Sequence, residues 1–194
     1  MDASLLSWAR AAGARSSRRL PPLWLFTDAR RLSDPRPAAS RLPRGLAGIV
    51  LRHDGDPHRA LLGRDLARIC RLRRLTLVVA GDTRLAAALG AGVHLRAGRW
   101  PGAMRPAGGL VTSSAHNQVE LRRARQAGAD LIFLSPVFAT PSHPGASSLG
   151  VIRWMRLARS SNSPVAALGG VDSHTIRRLP RNVCRALGAI GALT

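Results

Sequence analysis

Eight short apolar runs, separated by polar or helix-patterned segments, constrain this chain more than any other feature. They are LWLF at Leu23–Phe26, GIVL at Gly48–Leu51, LTLVVA at Leu75–Ala80, GVHL at Gly92–Leu95, LVTS at Leu110–Ser113, DLIFL at Asp130–Leu134, PVAAL at Pro164–Leu168 and RALGAI at Arg185–Ile190. Most are continuous rather than alternating, the pattern of strands buried on both faces of a parallel sheet. Between them lie helical patterns. His58–Leu72 carries Leu61, Leu62, Leu66, Ile69 and Cys70 at helical spacing. Thr83–Leu89 is an Ala/Leu helix with Asp82 or Thr83 as its cap. Asn117–Ala127 starts at a capping Asn, carries Val119, Leu121 and Ala124, and stops at Gly128. Leu149–Arg159 and Ser173–Leu179 complete the series.

Strands alternating with helices in this way predict an α/β fold, a single small (β/α)8 TIM barrel. The chain has 194 residues, below the roughly 250 usual for this architecture. A doubly wound open sheet is the alternative. Prolines between Arg30 and Arg44 leave room for only a short helix. No eighth helix follows Ile190, so an N-terminal helix around Ser4–Ala12 is expected to cover that gap. Residues 1–22 then read as an N-terminal basic helix or tail, and residues 23–194 as the barrel.

The composition is 45% hydrophobic, which suits a globular chain, and no apolar run reaches the ~20 residues of a membrane span. A cytoplasmic setting without membrane contact is expected. Cys70 and Cys184 have no metal-ligand spacing and read as buried thiols. The formal net charge is +20, and all 30 basic residues are arginine. A basic surface for nucleic acid is one reading. Coding bias in a GC-rich genome is the other, favoured because the arginines are spread along the chain. Either way no lysine is present to form a Schiff base, and any anion must be held by Arg, His, hydroxyls or backbone N–H groups.

In a barrel the chemistry sits where the strands end. Those ends carry Arg52, His53 and Asp54; Gly81 and Asp82; His94 and Arg96; Ser113, Ser114 and His116; Ser135, Thr140, Ser142 and His143; Gly169 and Gly170; and Gly188–Gly191. A Gly-Gly turn ahead of a helix exposes N–H groups to an anion, and barrels often bind phosphate after strands seven and eight. A phosphorylated small substrate is the expectation.

Five motifs in order, LWLFTD at Leu23–Asp28, ALGAGVHL at Ala88–Leu95, Ser114-Ala115-His116, SPVFATPS at Ser135–Ser142 and ALGGV at Ala167–Val171, resemble the thiamine phosphate synthase and thiazole tautomerase family. The resemblance implies a transferase that condenses hydroxymethylpyrimidine diphosphate with thiazole phosphate, releasing pyrophosphate, with Mg²⁺ as cofactor and these phosphorylated pyrimidine and thiazole compounds as its partners. It assigns diphosphate contacts to Arg52 and Ser114, which with His116 are the candidate catalytic residues, a substrate-binding position to Gly81, and a Mg²⁺ ligand to Asp82. Thr140 and Ser142 fall to the thiazole phosphate, with Gly169, Gly170, Ile190 and Gly191 as its backbone cradle. His143 stands where the family has a diphosphate-gripping lysine, and His116 matches the proton-transfer histidine of the tautomerases.

The chain departs from the family's pattern at Val50, Asp54 and Gly81, which replace Gln, Lys and Asn, and at Arg99, which replaces the second acidic Mg²⁺ ligand. Arg99 is accordingly a candidate substitute for the missing cation. Arg52 also reads as a surface arginine, Asp82 as a helix cap and His116 as an edge histidine bonded to backbone. A tautomerase-type isomerase using His116, or a non-catalytic binder of thiamine phosphate, are the alternative functions. Nucleic-acid binding rests on charge alone.

Overall fold

The computed structural model describes residues 2–13, 20–105, 108–140 and 147–193. Eight strands form a closed parallel barrel in sequence order: β1 (Leu23–Phe26), β2 (Ala47–Leu51), β3 (Thr76–Ala80), β4 (Gly92–Leu95), β5 (Val111–Ala115), β6 (Leu131–Leu134), β7 (Val165–Leu168) and β8 (Cys184–Ala189). Leu25 of β1 pairs with Ile49 on one side and Ala189 on the other, so the sheet has no edge and the open-sheet alternative is excluded. Each expected run lies on one of these strands. The eighth was read one position late: Gly188 belongs to the barrel wall rather than to a loop beyond it.

Successive side chains point to opposite faces of a strand, and here both faces are dry. Leu23 and Leu25 pack outward with the helices, while Trp24 and Phe26 point into the barrel. That double burial is why β1 reads as a continuous apolar run. Inside, Val50, Val78, Ala80, Leu131, Phe133, Ala166 and Ala186 surround the two rings. The rings meet edge-to-face, Trp24 to Phe133 at 5.6 Å and Phe26 to Phe133 at 4.8 Å between centroids. Glycines make the room. A Cβ on Gly48 would stand 2.5 Å from the Trp24 ring, and one on Gly188 would stand 2.8 Å from Phe26.

Among the described residues six α-helices lie outside: α1 (Ala3–Gly13), α2 (Arg36–Arg41), α3 (Arg59–Arg73), α4 (Thr83–Leu89), α5 (Gln118–Gln126) and α6 (Gly150–Arg159). The short α2 fits the proline-rich stretch, with proline in its first turn. Helix α1 lies against β8 and buries Leu5, Trp8, Ala9 and Ala12, covering that side of the barrel. The segment expected as a helix at Ser173–Leu179 is only a 3-10 turn, Thr175–Arg178. The Asp172 carboxylate takes the N–H groups of His174 and Thr175, and Pro180 follows, so an α-helix has nowhere to extend. Two expected core residues face water. Val119 is 63% exposed because it lies two positions from Leu121, on the opposite face of α5, and Leu61 is 51% exposed because Leu62, Leu66 and Cys70 form the inward stripe of α3. Cys70 and Cys184 are both buried free thiols, and burial pushes each up to about 12, so neither serves as a thiolate.

Replacing Gly48 with alanine forces the Trp24 ring to move in a packed interior and should cost roughly 1–3 kcal/mol. The drop in urea midpoint of the variant measures it; an unchanged midpoint would show that the ring has room to shift.

Candidate active site

Closure of the barrel gathers the carboxyl ends of all eight strands into one mouth, and arginine dominates it. The anchor is Thr27, fully buried just beyond β1. Its hydroxyl oxygen accepts the Arg52 N–H at 2.9 Å and lies 2.9 Å from His53 Nδ1. The Ser33 carbonyl, 3.3 Å from Nε2, can only accept, so in a neutral ring the proton is on Nε2 and Nδ1 accepts from the Thr27 hydroxyl. Thr27 so fixes the backbone that launches Arg52. The Arg52 guanidinium donates from Nε to the Thr27 carbonyl at 3.0 Å and from Nη2 to Asp28 Oδ2 at 2.7 Å. It stands 5.8 Å from the centroid of the Phe26 ring.

Beside it runs a second network. Arg96 Nη2 pairs with Asp54 Oδ2 at 2.6 Å. The other Asp54 oxygen lies 3.5 Å from Arg59 Nη2, and Arg59 Nη1 lies 3.7 Å from Asp82 Oδ2. Arg59 opens α3 and is held from below, its Nη2 donating to the carbonyls of Leu51 and Ala80 at the ends of β2 and β3. Asp82 spends its other oxygen, Oδ1, as the cap of α4, accepting the Leu85 N–H at 2.9 Å. Gly81 leaves space for Arg96, whose guanidinium would be 3.3 Å from a Cβ at that position.

Under these cations lies His94, buried in the barrel, with Nδ1 2.8 Å from the Thr112 hydroxyl and its ring edge-on to Phe26. Burial first, then the Arg52 and Arg96 charges, push its pKa down to about 3, so it stays neutral at ordinary pH. It forms a neutral polar floor to the mouth.

Ser114 Oγ accepts the Ala97 N–H at 3.2 Å, while Ser113 Oγ accepts the Gly98 N–H at 2.9 Å and donates to the Ser114 carbonyl. The two hydroxyls tie the loop after β4 to β5, so Ser114 is both a strap and a mouth residue. His116 is exposed just beyond β5. Its backbone N–H and its Nδ1 both lie 2.8 Å from Glu120 Oε2. Burial raises the Glu120 pKa, but the His116 side-chain and backbone bonds and the nearby charges outweigh it and hold the carboxyl below its usual range. The imidazole is oriented by a carboxylate, an arrangement that suits proton transfer through Nε2.

On the far side the loops after β6 and β7 are stitched together. Val137 N–H donates to the Leu168 carbonyl at 3.0 Å and Phe138 N–H to Gly169 at 3.1 Å. A Cβ on Gly169 would meet Pro136 at 2.7 Å, and one on Gly170 the Ala139 carbonyl oxygen at 2.4 Å. The glycine pair is thus required by close loop packing, whatever ligand it meets. Thr140 ends this described stretch; Ser142 and His143 lie outside the described residues. Ile190 packs inward with the barrel interior, and a Cβ on Gly191 would stand 3.9 Å from Arg31 Nη2.

The structure thus joins Arg52, Gly81, Asp82 and Ser114 around one side of the mouth and Thr140, Gly169, Gly170, Ile190 and Gly191 around the other. Sequence reasoning missed Thr27 and Arg59. Among 30 arginines, nothing in the sequence marks Arg59. Arg99, considered as the substitute cation, is exposed, and the guanidinium beside Asp82 is that of Arg59. These donors do not suit Mg²⁺, which requires near-octahedral oxygen ligands at ~2.0–2.1 Å. One Asp82 oxygen caps a helix, the other faces a cation, and among the described residues no three His, Cys, Asp or Glu side chains gather for a metal.

Fold and site define a β/α barrel that carries its functional groups at the carboxyl ends of the strands, in a mouth lined with guanidinium groups. The chain belongs to the thiamine monophosphate synthase family, whose pattern it matches over residues 25–193. It is 34% identical over 142 residues to the thiamine-phosphate synthase of Thiobacillus denitrificans, covering 68% of this chain and 66% of that protein. It is 32% identical to the thiamine-phosphate synthase of Geobacillus thermodenitrificans, covering 73% and 71%. The thiamine phosphate pyrophosphorylase of Pyrococcus furiosus has the same fold, with a TM-score of 0.74, 24% identity and coverage of 90% and 87%.

The buried His94 gives the barrel an acid sensitivity of predictable sign. Its folded pKa lies below the usual 6.5, so between pH 6.5 and the lower value the unfolded chain takes up a proton that the folded chain refuses. Its stabilising contribution is complete above pH 6.5 and is lost as pH falls, at up to ~1.4 kcal/mol per pH unit. Urea unfolding from roughly pH 7 to 5 should show a steeper loss for the natural chain than for His94→Gln. Equal slopes would mean that His94 ionises in place.

Proposed function

We infer that this chain is a thiamine-phosphate synthase, joining hydroxymethylpyrimidine diphosphate to thiazole phosphate with release of pyrophosphate. Family membership supports the reaction class. The observation that carries it to this mouth is Arg52, locked by Thr27 and Asp28 over the Phe26 ring with its charge at the strand ends. In a dissociative transfer the C–O bond to the diphosphate breaks and the electron pair leaves with pyrophosphate. The thiazole nitrogen then supplies the pair for the new C–N bond. The protein's task is to neutralise the leaving group with fixed charge, which costs no reorganisation when the groups are already placed. Arg52 is placed in this way, with the Ser114 hydroxyl on the neighbouring side. Thr140, Gly169, Gly170, Ile190 and Gly191 are proposed to receive the thiazole phosphate, together with Ser142. His143 is proposed to assist at the diphosphate when protonated. A cytoplasmic setting belongs to the same proposal.

Supplying both substrates and following pyrophosphate is the direct test. The natural chain should turn over, and Arg52→Ala should lose about 10²-fold or more in kcat/KM. No pyrophosphate release at high enzyme concentration would overturn the synthase reading.

The His116–Glu120 pair favours one second reading, an isomerase of thiazole phosphate tautomers. In that case His116→Asn should abolish tautomer conversion while the chain still folds, and an unchanged rate would remove His116 from the chemistry.

A further inference from the structure

The charged side chains along the β2–β4 side of the mouth form an alternating row: Arg96, Asp54, Arg59, Asp82. Arg59 is central to it. Its side chain is only 15% exposed, its guanidinium lies between two carboxylates, and its Nη2 is fastened to the carbonyls that end β2 and β3. Among the described residues its buried Nε–H has no hydrogen-bond acceptor, which carries a desolvation cost. A divalent ion bridging Asp54 and Asp82 would have to stand where this guanidinium stands. Asp54 is further committed to Arg96 and Asp82 to the α4 cap, so neither carboxylate is arranged as a metal ligand.

We propose that Arg59 is the tethered cation of this mouth, taking the place of a divalent metal between Asp54 and Asp82, and that a diphosphate group is gripped there by Arg96 and Arg52 without metal. The proposal rests on the reading of the mouth as a diphosphate site and goes beyond it by naming what carries the countercharge. Arg96 is the mobile member of the grip. Its side chain is 59% exposed, and a diphosphate oxygen competes for it with Asp54, while the buried Arg59 keeps that carboxylate neutralised. Arg52 stays fixed against Asp28 and presents its fork from the neighbouring strand end.

Calorimetric titration of the full chain with inorganic pyrophosphate, in EDTA and again with excess Mg²⁺, tests this directly. One site should bind in EDTA, and excess Mg²⁺, which complexes pyrophosphate in solution, should not strengthen the binding. Arg96→Gln should weaken binding by roughly tenfold or more, the loss expected for a charged hydrogen-bond donor. Arg159→Gln, at the far end of α6, should not, which separates a built site from the general attraction of a chain of charge +20. Mn²⁺ alone, followed by its paramagnetic resonance signal, should stay free with the natural chain and become bound in Arg59→Ala, where the space between the carboxylates opens. If Arg59→Ala does not fold, the natural chain and Arg96→Gln still decide.

Pyrophosphate binding that requires Mg²⁺, an unaffected Arg96→Gln, or Mn²⁺ held by the natural chain and released by Asp82→Asn would each overturn the proposal. Its failure is distinct from failure of the synthase reading. Metal-free pyrophosphate binding with no turnover of the two substrates overturns the synthase and leaves the arginine grip. Turnover with strictly Mg²⁺-dependent binding does the reverse.

Discussion

The mouth of this barrel depends on how its interior is filled. Trp24, Phe26 and Phe133 plug a ring of short strands, and Gly48 and Gly188 give them room. This plug keeps water out from below and sets the level at which polar groups begin. His94 lies at that level, neutral because it is buried and because arginines stand above it. A charge placed over a dry aromatic floor is less screened than one surrounded by water, so the same guanidinium does more here than at the outer surface. Arg52 sits at this boundary, with one face toward Phe26 and the other toward the open mouth.

The cations of the mouth are already partly neutralised, which bears on the diphosphate proposed to bind there. Arg52 is paired with Asp28, Arg96 with Asp54, and Arg59 with both Asp54 and Asp82. The carboxylates lower the repulsion among clustered guanidinium groups before any ligand arrives, and they fix the direction of each fork. The arrangement trades some attraction for preorganisation. That exchange favours a leaving group whose charge develops late, since groups already in place need not move as the bond breaks.

The strands were legible because double burial writes continuous apolar runs, and each of the eight runs lies on a strand of the barrel. Helices were less legible. In so arginine-rich a chain an apolar face is narrow, so Val119 and Leu61 were read as core although they lie off the stripes that pack inward. The stretch after β7 reads as helical by spacing, and Asp172 caps its start, yet Pro180 follows so closely that it closes as a single 3-10 turn. At the site, Arg52 was legible from its place after a buried strand. Arg59 was not, because it opens a helix and enters the mouth only when β2 and β3 bring their terminal carbonyls together beneath it. Gly169 and Gly170 show the opposite difficulty. The motif is plain, but loop packing alone demands two glycines there, so the sequence signal cannot by itself report a phosphate.

The absence of lysine connects these observations. Every basic residue is arginine, and at a site an arginine is not equivalent to a lysine. A lysine ammonium is a compact point charge on a flexible stem, suited to meeting one anionic group. A guanidinium is a planar fork with donors in several directions. Arg59 uses that shape to reach two backbone carbonyls and lie between two carboxylates at once. A side chain that meets four oxygens from four different residues ties the ends of β2 and β3 to the start of α3, so the charge at this side of the mouth is fixed by the chain itself.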